Sequence, residues 1–190
     1  ATPTFFVGMA NGLRLSYSRG AIKPYIDYIL SQKVPVGLHG MAFEDPEKMK
    51  EEYEVFLQLA GGLPAGIRNH YLRQAKSTQN DMSDIGYRFD STNYELNAPY
   101  RVNEMWEFPI SLMDVSLGID SSLKDKQEQS IQVYKNAAKK ELPYFVLNFH
   151  DNYFSNAYPF MRKWYKWFLH YLAENHSFIS FEEAVKELDG

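Results

Sequence analysis

The 190 residues include no cysteine. Disulfides, thiolate metal centres and cysteine nucleophiles are thereby excluded, while the compartment stays open, because a cysteine-free chain suits either side of a membrane. No apolar run approaches the roughly 20 residues needed to cross a bilayer, and the first residues lack the charged and apolar regions of a signal peptide, so the sequence reads as soluble. A basic excess is also missing. Twenty Lys and Arg stand against 24 Asp and Glu, a formal charge of −4, and the cations are scattered, which argues against a nucleic-acid partner. There is no P-loop, dinucleotide fingerprint, nucleophile elbow, linker or repeat. What remains is a chain of single-domain size, expected as one domain over residues 1–190. Hydrophobic residues make up 45% and aromatic ones 16%, enough to bury a core.

Short apolar runs alternate with helical stripes. Residues 4–8, 34–39, 65–69, 87–91, 106–113, 144–151 and 178–180 read as extended segments. Residues 20–32, 47–60, 77–85, 124–140 and 160–171 read as helices, and Ser180 with Glu183 three residues on is a capping-box start for a last one. Strand followed by helix implies parallel βαβ units, and seven strands at this spacing suit a β/α barrel better than a short open sheet. His39 closes the run Val34-Pro35-Val36-Gly37-Leu38, and His150 with Asp151 closes Tyr144-Phe145-Val146-Leu147-Asn148-Phe149. In a barrel the C-terminal strand ends would gather His39, Arg68, His70, Asp90, Asp114, His150 and Asp151 at one mouth, where such folds do chemistry.

Each of these residues also has a plain structural reading. A lone strand-end histidine is commonly a hydrogen-bonded structural residue, Arg68 could pair with a carboxylate, and Asp90 could cap the Ser91-Thr92 turn, with Asp114 alike. His70 and Tyr71 share the loop after Arg68 and could contact a sugar. Most aromatic rings fall on core stripes, leaving Tyr94, Tyr100, Trp106, Tyr153 and Tyr158 as the better sugar-contact candidates.

Several stretches in order resemble the polysaccharide deacetylase family, the NodB-homology or carbohydrate esterase 4 group. They are Thr4-Phe5-Phe6-Val7, Val36-Gly37-Leu38-His39-Gly40, Gly66-Ile67-Arg68, Gly86-Tyr87-Arg88-Phe89-Asp90-Ser91-Thr92, Trp106-Glu107-Phe108-Pro109-Ile110 and Leu147-Asn148-Phe149-His150-Asp151. The resemblance implies an irregular, incomplete (β/α) barrel and metal-dependent hydrolysis of an acetyl group on a polysaccharide or amino sugar, with zinc or another divalent metal as cofactor. Carried over, His39 is a metal ligand, Arg68 orients and charges the catalytic aspartate, and His150 is the acid. His70, Tyr71, Asp151 and Trp106 are substrate-contact candidates.

Two departures stand against this pattern. The family's aspartate pair lies on a strand upstream of Thr4-Phe5-Phe6-Val7, and no Asp-Asp pair occurs here, so the first strand reads as missing, with a barrel gap through which the chain could self-associate. Phe43 stands where the family has a second metal histidine, four residues after the first. Asp45, Glu44 or His70 are the possible replacement ligands. Three readings therefore stay open: a carbohydrate deacetylase, a non-catalytic glycan-binding or structural domain of that fold, and hydrolysis of a non-sugar amide.

Overall fold

The computed structural model describes residues 3–9, 19–62 and 66–190. Its contacts divide the chain into two compact units. Unit 1 comprises residues 1–93, 100–108 and 179–190, and unit 2 comprises residues 94–99 and 109–178.

Unit 1 is an α/β layer structure. Strands β1 (Phe5–Gly8), β2 (Val36–Gly40), β3 (Gly66–Asn69), β4 (Phe89–Asp90) and β6 (Met105–Glu107) run parallel in the order β1-β2-β3-β4-β6, and β5 (Tyr100–Val102) joins β6 antiparallel at the edge. Helices α1 (Arg19–Ser31), α2 (Pro46–Leu59) and α3 (Thr78–Ile85) follow the first three strands. A parallel sheet must be covered on its faces, and β2 and β3 are accordingly buried along almost their whole length. Leu38, Ile67, Ile26, Met49, Phe56 and Met82 are each no more than 1% exposed. Asp45 starts α2 by accepting from the Lys48 N–H, with Pro46 in the first turn. Gly66 admits no other residue without movement, because a Cβ there would lie 1.9 Å from the Phe89 ring.

The last helix, α6 (Phe181–Asp189), closes this unit from both ends. Ser180 and Glu183 form the expected capping box. Phe181 enters a ring cluster, stacked at 4.8 Å on Phe89 and edge-on at 5.3 Å to Phe108 and 5.9 Å to Phe6. At the other end, the Asp189 carboxylate accepts from Arg88 at 3.1 Å, Arg101 at 2.5 Å and the Trp106 indole N–H at 2.9 Å.

Unit 2 is built on α4 (Leu123–Lys139) and α5 (Pro159–Ala173), with the parallel pair β7 (Leu112–Met113) and β8 (Leu147–Asn148). Its core is Leu112, Leu117, Trp164, Phe168 and Leu172. The fully buried Trp164 donates its indole N–H to Ser130 Oγ at 2.7 Å, and Ser130 in turn donates to the Lys126 carbonyl at 2.6 Å. Ser130→Ala leaves that N–H without its acceptor and is expected to cost about 1–3 kcal/mol, read as a lower thermal midpoint with unchanged far-UV circular dichroism.

The mostly parallel α/β organisation matches the sequence reading, but barrel closure is not shown: among the described residues the unit 1 sheet is open, with β1 and β5 at its edges. The segment expected as one strand over 106–113 is divided. Its first part pairs with β4, and Leu112–Met113 pairs with β8 after the break at Pro109, which lacks the N–H for a ladder. Residues 178–180 carry no strand, because Ser180 has become the cap of α6. The 144–151 run shortens to Leu147–Asn148. Residue 65, the expected start of the third strand, lies outside the described residues. No described helix is long and apolar enough to cross a membrane.

Candidate functional site

In unit 1 the register of β2 against β3 sets His39 beside Arg68, and the chain turns immediately after Asn69. His39 Nδ1 lies 2.9 Å from the Arg68 carbonyl, which can only accept, so Nδ1 carries the proton and His39 Nε2 is left as an acceptor. His70 Nδ1, 2.9 Å from that Nε2, then donates to it. With both rings neutral, a hydrogen-bond chain runs from His70 through His39 into the sheet backbone. The turn that presents His70 is strained: Tyr71 and Leu72, neither of them glycine, have φ of 56° and 54°. Tyr71 is 59% exposed, with its ring 4.1 Å from that of His70.

Behind this pair the ends of β4 and β6 bury two carboxyl groups side by side. Asp90 and Glu107 are register partners, and both are fully buried. As register partners in a buried setting two charged carboxylates would repel each other, so burial and proximity favour one proton shared by the pair. Glu107 holds it. Burial first, and then the neighbouring Asp90 charge, push Glu107 up to about 10, while burial also raises Asp90. Thr92 Oγ1 donates to Asp90 at 2.5 Å, and the Asn93 N–H donates to Glu107 at 3.0 Å. Arg68 supplies the compensating charge. It is buried against the Phe6 ring at 4.5 Å, with Nε on the Ser91 carbonyl at 2.8 Å and Nη2 on Ser91 Oγ at 2.7 Å. Burial lowers Arg68 to about 10, which leaves it charged at neutral pH.

Unit 2 holds a separate acid–base pair. Asp114, fully buried at the end of β7, accepts from His150 Nδ1 at 2.7 Å and from the His150 backbone N–H at 2.6 Å. The Val115 N–H, at 2.7 Å, is its third donor. These bonds hold the imidazole with its proton on Nδ1, which leaves Nε2 to take up or give a proton. The His150 side chain is 42% exposed, so the ring is reachable. The Tyr153 ring lies 5.9 Å from His150 and 4.9 Å from Tyr158.

The structure thus brings His39, Arg68 and His70 together, with Tyr71 beside them, and places His150 with Asp114. Asp151 opens the exposed turn Asp151–Phe154 and makes no hydrogen bond or ion pair among the described residues. Strand alternation turns Trp106 to the face opposite Glu107, where it is engaged by Asp189 and lies under Arg101. Sequence reasoning named Asp114 only as a rim residue and Glu107 only within a motif. Nothing local marks either, because each partner lies on another strand.

The described residues do not complete a metal centre. His39 and His70 are two imidazoles, and among the described residues no group of three or more His, Asp or Glu could hold an ion. A catalytic zinc takes about three protein donors. Phe43 lies against Arg73 at 4.1 Å and cannot coordinate, and Asp45 is the cap of α2.

No protein-family model matches the sequence, and no curated protein matches it. Solved structures do. A Mycobacterium smegmatis protein to which polysaccharide deacetylase activity is ascribed superposes with a TM-score of 0.69 at 15% identity, over 97% of this chain and 70% of that one. A Bordetella bronchiseptica protein, ascribed the same activity in O-antigen biosynthesis, matches at 20% identity over 77% of this chain and 58% of its own. Its TM-score of 0.48 supports no step here. The mycobacterial match identifies the fold: this chain has the α/β architecture of that deacetylase-like neighbour.

Proposed function

We propose that the chain acts as a deacetylase-like hydrolase on an acetylated carbohydrate, with His150 as the proton-transferring residue and Asp114 as its positioning partner. The observation that carries this reading is the dyad itself, a buried carboxylate fixing an exposed imidazole in one tautomer. In hydrolysis of an acetamide, water adds to the carbonyl carbon and the C–N bond breaks, giving acetate and an amine. His150 Nε2 takes the proton released by the attacking water and delivers it to the leaving nitrogen. The mycobacterial neighbour supports the choice of reaction by fold, and the sugar substrate is part of the proposal.

Zinc or another divalent metal does not fit the described donors, so no step is routed through it. Calorimetric titration of metal-free protein with zinc is expected to show at most weak binding, lost in His39→Ala. Tight one-to-one binding would instead bring in donors beyond the two imidazoles and restore a metal role. Self-association remains a proposal about the β1 edge, which size-exclusion chromatography reads directly.

A second reading, a glycan-binding domain without catalysis, is favoured by that same donor shortage. The two part on one assay: the hydrolase releases acetate from acetylated chito-oligosaccharide, and the binding domain does not.

A further inference from the structure

Helix α5 differs from every other described helix that carries Lys or Arg. In each of α1, α2 and α4 at least one lysine faces a carboxylate one turn on, Lys23–Asp27, Lys50–Glu54 and Lys124–Glu128, and α6 mixes both signs. The sequence of α5, PFMRKWYKWFLHYLA, contains no acidic residue. Met161, Trp164, Phe168 and Leu172 take its buried face, which leaves Arg162, Lys163 and Lys166 on the outer one. Among the described residues none of the three has an ion-pair partner.

These cations converge. With Asn156 and Pro159 they line one surface pocket of about 340 Å³. Arg162 is held in place: it is half-buried, donates one N–H to Asn156 Oδ1 at 2.9 Å, and lies 5.5 Å from the centre of the Phe154 ring. A guanidinium has five N–H donors, so most of its fork is open to a ligand. Lys166 Nζ sits 5.8 Å from the same ring. Three like charges in one pocket repel each other, and an anion between them removes that cost. The pocket is also close to the chemistry along the chain, since Phe154 ends the turn that begins just after His150.

We infer that this pocket binds an anionic group, a carboxylate or a phosphate, carried by the glycan that the domain acts on. The substrate class is therefore an acidic glycan, and this assignment rests on the hydrolase reading above.

The test is affinity electrophoresis and calorimetry with an oligo-uronide, a glycerol-phosphate polymer and a neutral chito-oligosaccharide. At low salt at least one anionic probe binds the wild type, and the one that binds identifies the anion. Its affinity falls at least tenfold in the combined variant Arg162→Gln, Lys163→Gln, Lys166→Gln, and falls again as salt is raised. Should that variant fail to fold, the single exposed charge reversal Lys163→Glu reads the same loss. The inference is overturned if neither anion binds the wild type, if the variants bind undiminished, or if the neutral oligosaccharide displaces the anion at equal concentration. Acetate release from a neutral substrate without anion binding overturns the pocket alone. Anion binding without acetate release from any substrate keeps the pocket and overturns the hydrolase.

Discussion

His150→Ala is expected to lower acetate release by about a hundredfold to ten-thousandfold, the usual range for removing a positioned general acid–base group. Asp114→Asn should cost nearly as much although Asp114 never meets substrate. An amide in place of the carboxylate can no longer accept from Nδ1–H and the two backbone N–H groups together, so the imidazole loses its fixed tautomer. The two losses should not add. If the residues act as one unit, the double variant is about as slow as His150→Ala alone, and multiplied losses would mean that Asp114 works by another route. The substrate KM separates positioning from binding: Asp114→Asn should reduce kcat with little change in KM.

The second large effect concerns stability. Glu107 rises from its ordinary 4.5 to about 10 on folding. A group whose folded pKa is raised leaves the native state holding more protons than the unfolded one, so its contribution is fully present below about 4.5 and is lost as pH rises through about 10. Across that window stability should fall with rising pH, at no more than about 1.4 kcal/mol per pH unit for one linked proton. Glu107→Gln mimics the protonated carboxyl and can donate to Asp90 without titrating. Its thermal midpoint should vary much less between neutral and alkaline pH than that of the wild type. The lowered carboxylates Asp45, Glu183 and Asp189 act below their ordinary values, in a separate acidic range, so the difference between wild type and variant isolates the Asp90–Glu107 proton. Equal pH slopes for the two proteins would contradict a shared proton.

Much of unit 1 was legible because its signals are local. The runs ending at His39 and Asn69, the stripe of α2 with Pro46 in its first turn, and the Ser180 and Glu183 box all announce themselves within a few residues. The β5–β6 hairpin was not, since its turn, Asn103-Glu104, puts a positive φ of 51° on Asn103 without the Asn-Gly pair that marks such turns. Asp90 was read as a cap for the following turn, and Thr92 does bind it. Its buried neighbour Glu107 could not be inferred, because strand register brings them together across 17 residues of chain. His150 was singled out by its strand-end position, yet its orientation depends on Asp114, 36 residues earlier. Composition hid the α5 pocket: cations that look scattered along the chain converge only when a helix places positions 162, 163 and 166 on one side.

Hydrolysis is read by the acetate it releases. Wild-type protein, prepared metal-free, would be incubated with acetylated chito-oligosaccharide and with an acetylated acidic glycan, each with and without added zinc, cobalt or manganese, beside His150→Ala. Acetate is expected from the wild type on at least one substrate, with a loss of at least about a hundredfold in the variant. No acetate under any of these conditions, or equal release by the two proteins, would contradict it.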